Sequence, residues 1–206
     1  MEKMFASILV LIIILVVTIV ITAYVISVYN KLVVLLNRAK NAFGQIDVQL
    51  KKRYDLIPNL VEVAKRYMAH EEQTLTKVIA ARNNAKGALD SLNSRGLESG
   101  GIKDFNKAES GLLGALGGLN VAVEAYPDLK ANKNMMQLSE ELSSMENKIA
   151  FSRQAYNDSV MNFNITKQIF PANIVASLFS KFKNDLDILE FEESTEELNK
   201  APKVQF

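Results

Sequence analysis

His70 is the single histidine of this 206-residue chain, and Glu71 and Glu72 follow it at once, a cluster that could serve metal or acid/base chemistry. A zinc hydrolase helix places two histidines four residues apart with a glutamate between them, so that both rings share one face and the carboxylate reaches the bound water. Position 74 is Thr, so the second ligand is missing and His70 reads as a surface or packing residue. Gly111, Gly114, Gly117 and Gly118 raise the question of a phosphate cradle. They have neither the lysine of a P-loop nor a preceding strand, and both nucleotide motifs fail. Glu140, Glu141 and Glu146 fall among Ser and Asn with no His or Cys to complete a metal site, which leaves a solvated helix face. The chain has no cysteine. A thiol nucleophile, a disulfide framework and a Cys-held zinc are thereby ruled out, and the lone histidine has no identifiable nucleophile partner. The inventory predicts no enzyme, no cofactor and no metal.

One stretch holds polar residues where apolar ones are expected. QIDVQLKKRYDLIPNLVEVAK, residues 45–65, keeps a helical apolar rhythm yet contains Arg53, Tyr54, Asp55 and Pro58. Apolar or small residues recur at Leu32, Leu36, Ala39, Phe43, Ile46 and Leu50, then at Ile57, Leu60, Ala64 and Tyr67. Steps of three and four define a narrow seam of the coiled-coil or bundle kind. Arg53 falls at the one seam position that ought to be apolar. Pro58 removes its own backbone donor and crowds the carbonyl of Tyr54, which predicts a kink, or a break just before it. Arg53, Tyr54, Asp55 and Pro58 are therefore expected to form a helix joint, with Arg53 bridging to an adjacent helix or subunit through charge-assisted hydrogen bonds.

The element that positions this joint begins near the N-terminus. After a short tail, residues 1–4, the run from Phe5 to Val28 carries no charge and spans roughly 36 Å as a helix, enough to cross a bilayer with some tilt. A secretory signal peptide is the rival reading, but its apolar core is shorter and no small-x-small cleavage site follows. A retained single-pass anchor is expected. No Gly, Pro or turn cluster separates Val28 from Lys31, so the anchor should run straight into the soluble helix. Lys3 precedes the span while Lys31, Arg38 and Lys40 follow it, and the positive-inside rule places the body in the cytoplasm, on the inner membrane. Between Tyr29 and Asp55 six bases (Lys31, Arg38, Lys40, Lys51, Lys52, Arg53) stand against Asp47 and Asp55. They face anionic lipid head groups or form a solvated helix face. Net charge is only +1, without the concentrated basic surface that nucleic-acid binding requires.

Further along, the seam continues less regularly through Leu75, Val78, Ile79 and Arg82, and NSRGLESGG, residues 93–101, predicts a mobile loop. Asp104 stands as a helix cap, followed at helical spacing by Phe105, Ala108, Leu112, Leu116, Leu119, Val123 and Tyr126. Within this helix Gly111, Gly114, Gly117 and Gly118 each cost about 0.5–1 kcal/mol relative to Ala, which predicts close packing of a neighbouring helix as compensation. A Pro-Asp turn at residues 126–132 leads to a long helix with Met135, Leu138, Leu142, Met145, Ile149, Ser152, Tyr156, Val160 and Phe163 on one stripe. Asn157, Asn162 and Asn164 on it either bridge neighbouring helices or stand in water. Phe170-Pro171 ends the helix, and residues 173–179, NIVASLF, form a small closing helix or a docking element. From Asn184 onward seven acids stand against Lys200 and Lys203, and residues 183–206 are expected to be a mobile acidic tail. The fold predicted is all-α: an anchor at 5–28, an antiparallel helical bundle at 29–182 that includes a long kinked helix, and the tail.

Several of these residues also carry a resemblance. Tyr29-Asn30, the run IDVQLKKRYDLIPNLVEVAK with Tyr67 and His70-Glu71, Ala81-Arg82, Ala108-Glu109, residues 126–131 (YPDLKA), Arg153, Tyr156-Asn157, Phe170-Pro171 and the closing APKVQF resemble the bacterial LemA family. The resemblance implies a membrane-anchored, mostly helical protein with a long antiparallel bundle and no established catalytic residues. It includes a magnetosome-associated relative linked to membrane compartments, which implies membrane organisation. Two functions are thus expected: a homo-oligomeric, noncatalytic scaffold in contact with membrane lipid, or an adaptor or sensor that recruits a protein partner such as a membrane protease or stress-signalling component.

Overall fold

The computed structural model describes residues 1–97 and 100–190, and every regular element among them is helical. Helix α1 runs unbroken from Glu2 to Lys65 and so takes in residues 2–4, expected to form a tail. From Lys3 to Tyr24 it is covered by nothing else among the described residues. Its threonine hydroxyls are satisfied internally: Thr18 Oγ1 donates to the carbonyl of Ile14 and Thr22 Oγ1 to that of Thr18, both at 2.8 Å. That is the condition for polar residues in an apolar solvent. From Val28 onward one face becomes buried, and the seam is as the spacing predicts: Leu32, Leu36, Ala39, Phe43, Ile46, Leu50, Ile57, Leu60 and Ala64 all lie in the core.

The seam's last expected member does not. Tyr67 is exposed and Met68 is buried in its place, because the chain leaves the helix at Lys65 and turns through residues 66–71. Helix α2, Glu72–Arg95, returns along α1 and buries Leu75, Val78, Ala85, Leu89 and Leu92. The expected loop at 93–101 is shorter than predicted. Helix α2 continues to Arg95, and α3 (Gly101–Glu124) starts three residues before Asp104. Gly96 and Gly100 take φ of 85° and 105°, the left-handed region that glycine enters without a Cβ clash. Asp104 lies in the first turn rather than at the cap.

The turn at 126–132 contains a one-turn helix, α4 (Pro127–Lys130). Asn132 then caps α5 (Lys133–Gln168): its side-chain oxygen accepts from the backbone N–H groups of Asn134 and Met135. Helix α5 packs antiparallel along α1. Phe43 meets the ring of Tyr156 edge-on, and ten residues further along α1 Arg53 reaches Glu146, ten residues back along α5. Helix α6 (Ala172–Leu178) closes the membrane-proximal end by burying Ala172, Val175 and Ala176.

Residues 183–190 correct the expectation of a mobile tail. Leu186 and Leu189 are buried, and the backbone between them is held by side chains of α5. The Asn164 amide donates to the carbonyl of Leu186 at 2.9 Å and accepts its N–H at 3.1 Å. Asn157 does the same for Leu189, at 3.0 and 2.9 Å. Seven residues of helix rise about 10.5 Å, a span that three residues of chain can cover, so the two amides hold the strap at two points three residues apart. Tyr156 Oη donates to the carbonyl of Asp187 between them. The asparagines therefore bridge to the C-terminal segment rather than to a helix, while Asn162 is exposed. The acidic residues from Glu192 on lie outside the described residues. Asn164→Ala should lower stability by about 1–3 kcal/mol and speed amide exchange selectively across 183–190, as read by hydrogen exchange with mass spectrometry.

A buried ion network joins the four long helices

Arg53 is wholly buried, which its seam position on α1 dictates. Its guanidinium spans two partners on two different helices: Nη1 donates to both carboxylate oxygens of Glu146 on α5, at 3.0 and 3.1 Å, and Nη2 donates to Glu109 on α3. The Tyr54 hydroxyl donates to the other oxygen of Glu109, and the Arg53 guanidinium lies 5.4 Å from the Tyr54 ring centre. Burial by itself would favour loss of the Arg53 proton, but the Glu109 and Glu146 carboxylates outweigh it and hold the proton more firmly than in water. Burial, and next the charge of Glu109, push the Tyr54 hydroxyl above its ordinary range. Tyr54 is a fixed donor.

The next residues of α1 reach the remaining helix. Pro58 has no N–H to give the carbonyl of Tyr54, and that oxygen accepts instead from Nε of Arg82 on α2, at 2.8 Å. Asp55 completes the contact as the carboxylate 3.7 Å from Arg82 Nη2. The helix does not break before Pro58. The orphan carbonyl that proline creates is used for docking, at a position where an uncapped carbonyl would otherwise cost stability. All four expected joint residues thus come together, and their neighbours are helices of the same chain.

Sequence reasoning missed one member and misplaced another. Glu109 sits on the core side of α3, four residues after Phe105 and three before Leu112. A buried acid on one seam opposite a buried base on another was the available signal. Glu146 is partly exposed but it is an Arg53 partner, not merely a solvated carboxylate. The four glycines are corrected as well. A Cβ added at Gly111, Gly114, Gly117 or Gly118 would meet nothing within 4 Å, because they lie on the face of α3 opposite Leu112, Leu116 and Leu119. No neighbouring helix among the described residues packs against them.

His70 is exposed in the turn after α1, and among the described residues no group of three or more His, Cys, Asp or Glu is placed to hold a metal. The geometry ties α2, α3 and α5 to one level of α1.

The sequence pattern of the LemA family matches residues 42–206. The magnetosome protein MamQ 2 of Paramagnetospirillum magneticum is 27% identical over 163 residues, covering 72% of this chain and 60% of that protein. The magnetosome protein MamQ of Magnetospirillum gryphiswaldense is 24% identical over 165 residues, covering 73% and 61%. The protein LemA of Metamycoplasma hominis is 29% identical over 147 residues, covering 71% and 63%. The match thus spans between 60% and 63% of the length of these relatives.

Two measurements probe the network. Glu109→Gln should cost about 3–5 kcal/mol of unfolding free energy, the range for breaking a fully buried pair, and Glu146→Gln less, since that side chain is 32% exposed. Equal losses in urea titrations would contradict the assignment. In a double-mutant cycle, Arg82→Met should cost less beside Pro58→Ala than alone, with a coupling of about 0.5–3 kcal/mol, because the alanine substitution restores the N–H that the Tyr54 carbonyl lacks.

Proposed function

The chain belongs to the LemA family, and from that premise we propose that it is a noncatalytic, membrane-anchored scaffold whose copies self-assemble to organise or shape the membrane. The observation that carries this reading is the 64-residue helix α1, in which the charge-free run and the spine of the body are one continuous element. From Tyr29 to Lys65 that helix stands roughly 55 Å beyond the span. Locked by the Arg53 network, it acts as a stiff post rather than a body on a tether. A post imposes geometry on lipid only when copies associate side by side.

Surfaces for such association are uncovered among the described residues. The glycine face of α3 meets nothing else among the described residues, which leaves the close helix approach that glycines permit open to another molecule. On α5, Phe151 is 76% exposed beside a groove lined by Ser143, Ser144 and Asn147. Resemblance to a family with a magnetosome-associated member supports a role tied to a membrane. The bases that follow the span, Lys31, Arg38 and Lys40, support a cytoplasmic body.

The adaptor reading keeps one specific observation in its favour, the strap at 183–190, whose capture by α5 fixes the point from which the acidic C-terminal sequence continues. Removing the strap would also remove buried Leu186 and Leu189, so a truncation after Glu190 is the clean variant. Native mass measurement in mild detergent should give several copies per particle, for the full chain and for that truncation alike. A full-length particle that is only ever monomeric would refute the scaffold, and in-cell crosslinks dominated by another protein, lost on truncation, would establish the adaptor.

A further inference from the structure

The end of the bundle nearest the span exposes an apolar face that the body does not use. Phe170 is 79% exposed, Ile174 55% and Leu178 69%. Ile174 and Leu178, four residues apart, line the side of α6 opposite the buried Ala172, Val175 and Ala176, and Phe170 stands exposed just before the helix. Ile165, in the last turn of α5, and Ile169, just after it, are each about half exposed.

Its height relative to the span follows from two independent contacts. The α1–α5 register that pairs Phe43 with Tyr156 brings Gln168, the last residue of α5, level with about Lys31. Beyond it, the Tyr29 ring meets Phe179 in a tilted contact at 4.8 Å and Phe182 edge-on at 5.5 Å, centroid to centroid, and Val25 and Val28 of the charge-free run pack against the core. Helix α6 therefore lies at the level where that run ends. Charge on this end has one predominant sign. There is no Asp or Glu between Asp158 and Asp185, while Lys167, Lys181 and Lys183 fall in that interval. Lys31, Lys181 and Lys183 are exposed, and Asp185 is paired with Lys167 at 2.6 Å.

An apolar face with basic residues at its rim, held at the mouth of a membrane span, matches the chemistry of the headgroup and acyl boundary of an anionic bilayer. We infer that α6 is an interfacial foot: Phe170, Ile174 and Leu178 insert into the bilayer surface from which α1 emerges. This rests on the reading of residues 5–28 as a span and goes beyond it. A post held at one point is free to tilt and to spin about its axis. A second, off-axis contact fixes both, and so sets which face each copy turns to its neighbours.

The chain has no tryptophan, which allows single reporters in the full-length protein: Phe170→Trp, Leu178→Trp, Leu15→Trp within the span, and Phe151→Trp as a control. Phe151 is opposite about Val48 by the same register, roughly 30 Å beyond the span. Each variant is reconstituted into discs of phosphatidylcholine and phosphatidylglycerol that hold one copy, with lipids brominated near the headgroup end of the acyl chain or deep within it. The expected result is severalfold stronger quenching of Phe170→Trp and Leu178→Trp by shallow bromines than of Phe151→Trp, with Leu15→Trp quenched by deep ones. If Leu15→Trp is quenched while Phe170→Trp and Leu178→Trp behave like Phe151→Trp, the span stands and the foot is refuted. Loss of Leu15→Trp quenching refutes the span and the foot with it. Shielding of Phe170→Trp and Leu178→Trp only in discs that carry several copies would assign the face to a second molecule and overturn the lipid assignment.

Discussion

A guanidinium taken out of water costs several kcal/mol even after the protein relaxes around it, and this fold places one at the centre of its longest seam. The arrangement is tolerable because the charge is matched from two sides at once. Glu109 and Glu146 arrive from different helices, and Tyr54 satisfies the oxygen of Glu109 that Arg53 does not use. An apolar side chain at position 53 would be compatible with many sliding registers of α1 against its neighbours. An arginine that needs both carboxylates is compatible with few. The network therefore sets the register of α3 and α5 against α1, as buried polar groups do in coiled coils.

Proline contributes to the same joint through what it lacks. In a regular helix each carbonyl is used by the N–H four residues on, so a helix offers its neighbours side chains only. At Pro58 one carbonyl is released, and α2 docks on it through Arg82. The result is a helix that stays continuous and yet presents backbone as a binding surface. Continuity matters here, because α1 is both the apolar run and the spine of the body. Any motion at residues 53–58 would uncouple the distal half of the bundle from the span.

At the opposite end of the bundle, cohesion comes from aromatic packing and from backbone capture. Tyr29, Phe163, Phe179 and Phe182 form a cluster around the exit of the apolar run, and Asn157 and Asn164 hold the strap that follows. Amide side chains reading an extended backbone are indifferent to its sequence. Leu186 and Leu189 supply the apolar burial that makes the docking specific.

Much of this was legible in the chain. Period and length determined the apolar run, the buried face of α1 from Leu32 to Ala64, the stripe of α5 and the odd placement of Arg53, because burial of a helix face is a local pattern that repeats every three or four residues. The turn after Lys65 was not legible, since residues 66–71 contain neither Gly nor Pro and the reversal is set by α2 needing a surface to cover. The partners of Arg53 could not be ranked either. Glu109, Glu140, Glu141 and Glu146 are chemically alike, and only the crossing of three helices at one level chose among them. The glycines of α3 marked a face able to accept a close neighbour, but which side of α3 faces the core depends on where Leu112 and Leu116 pack. The stretch from Lys183 to Glu190 looked solvated by composition, and it took two asparagines seven residues apart, on a helix already fixed in space, to bind it. Sequence by itself determined which surfaces must be buried. Tertiary structure decided what each of them meets, because partner choice depends on distances between segments far apart in the chain.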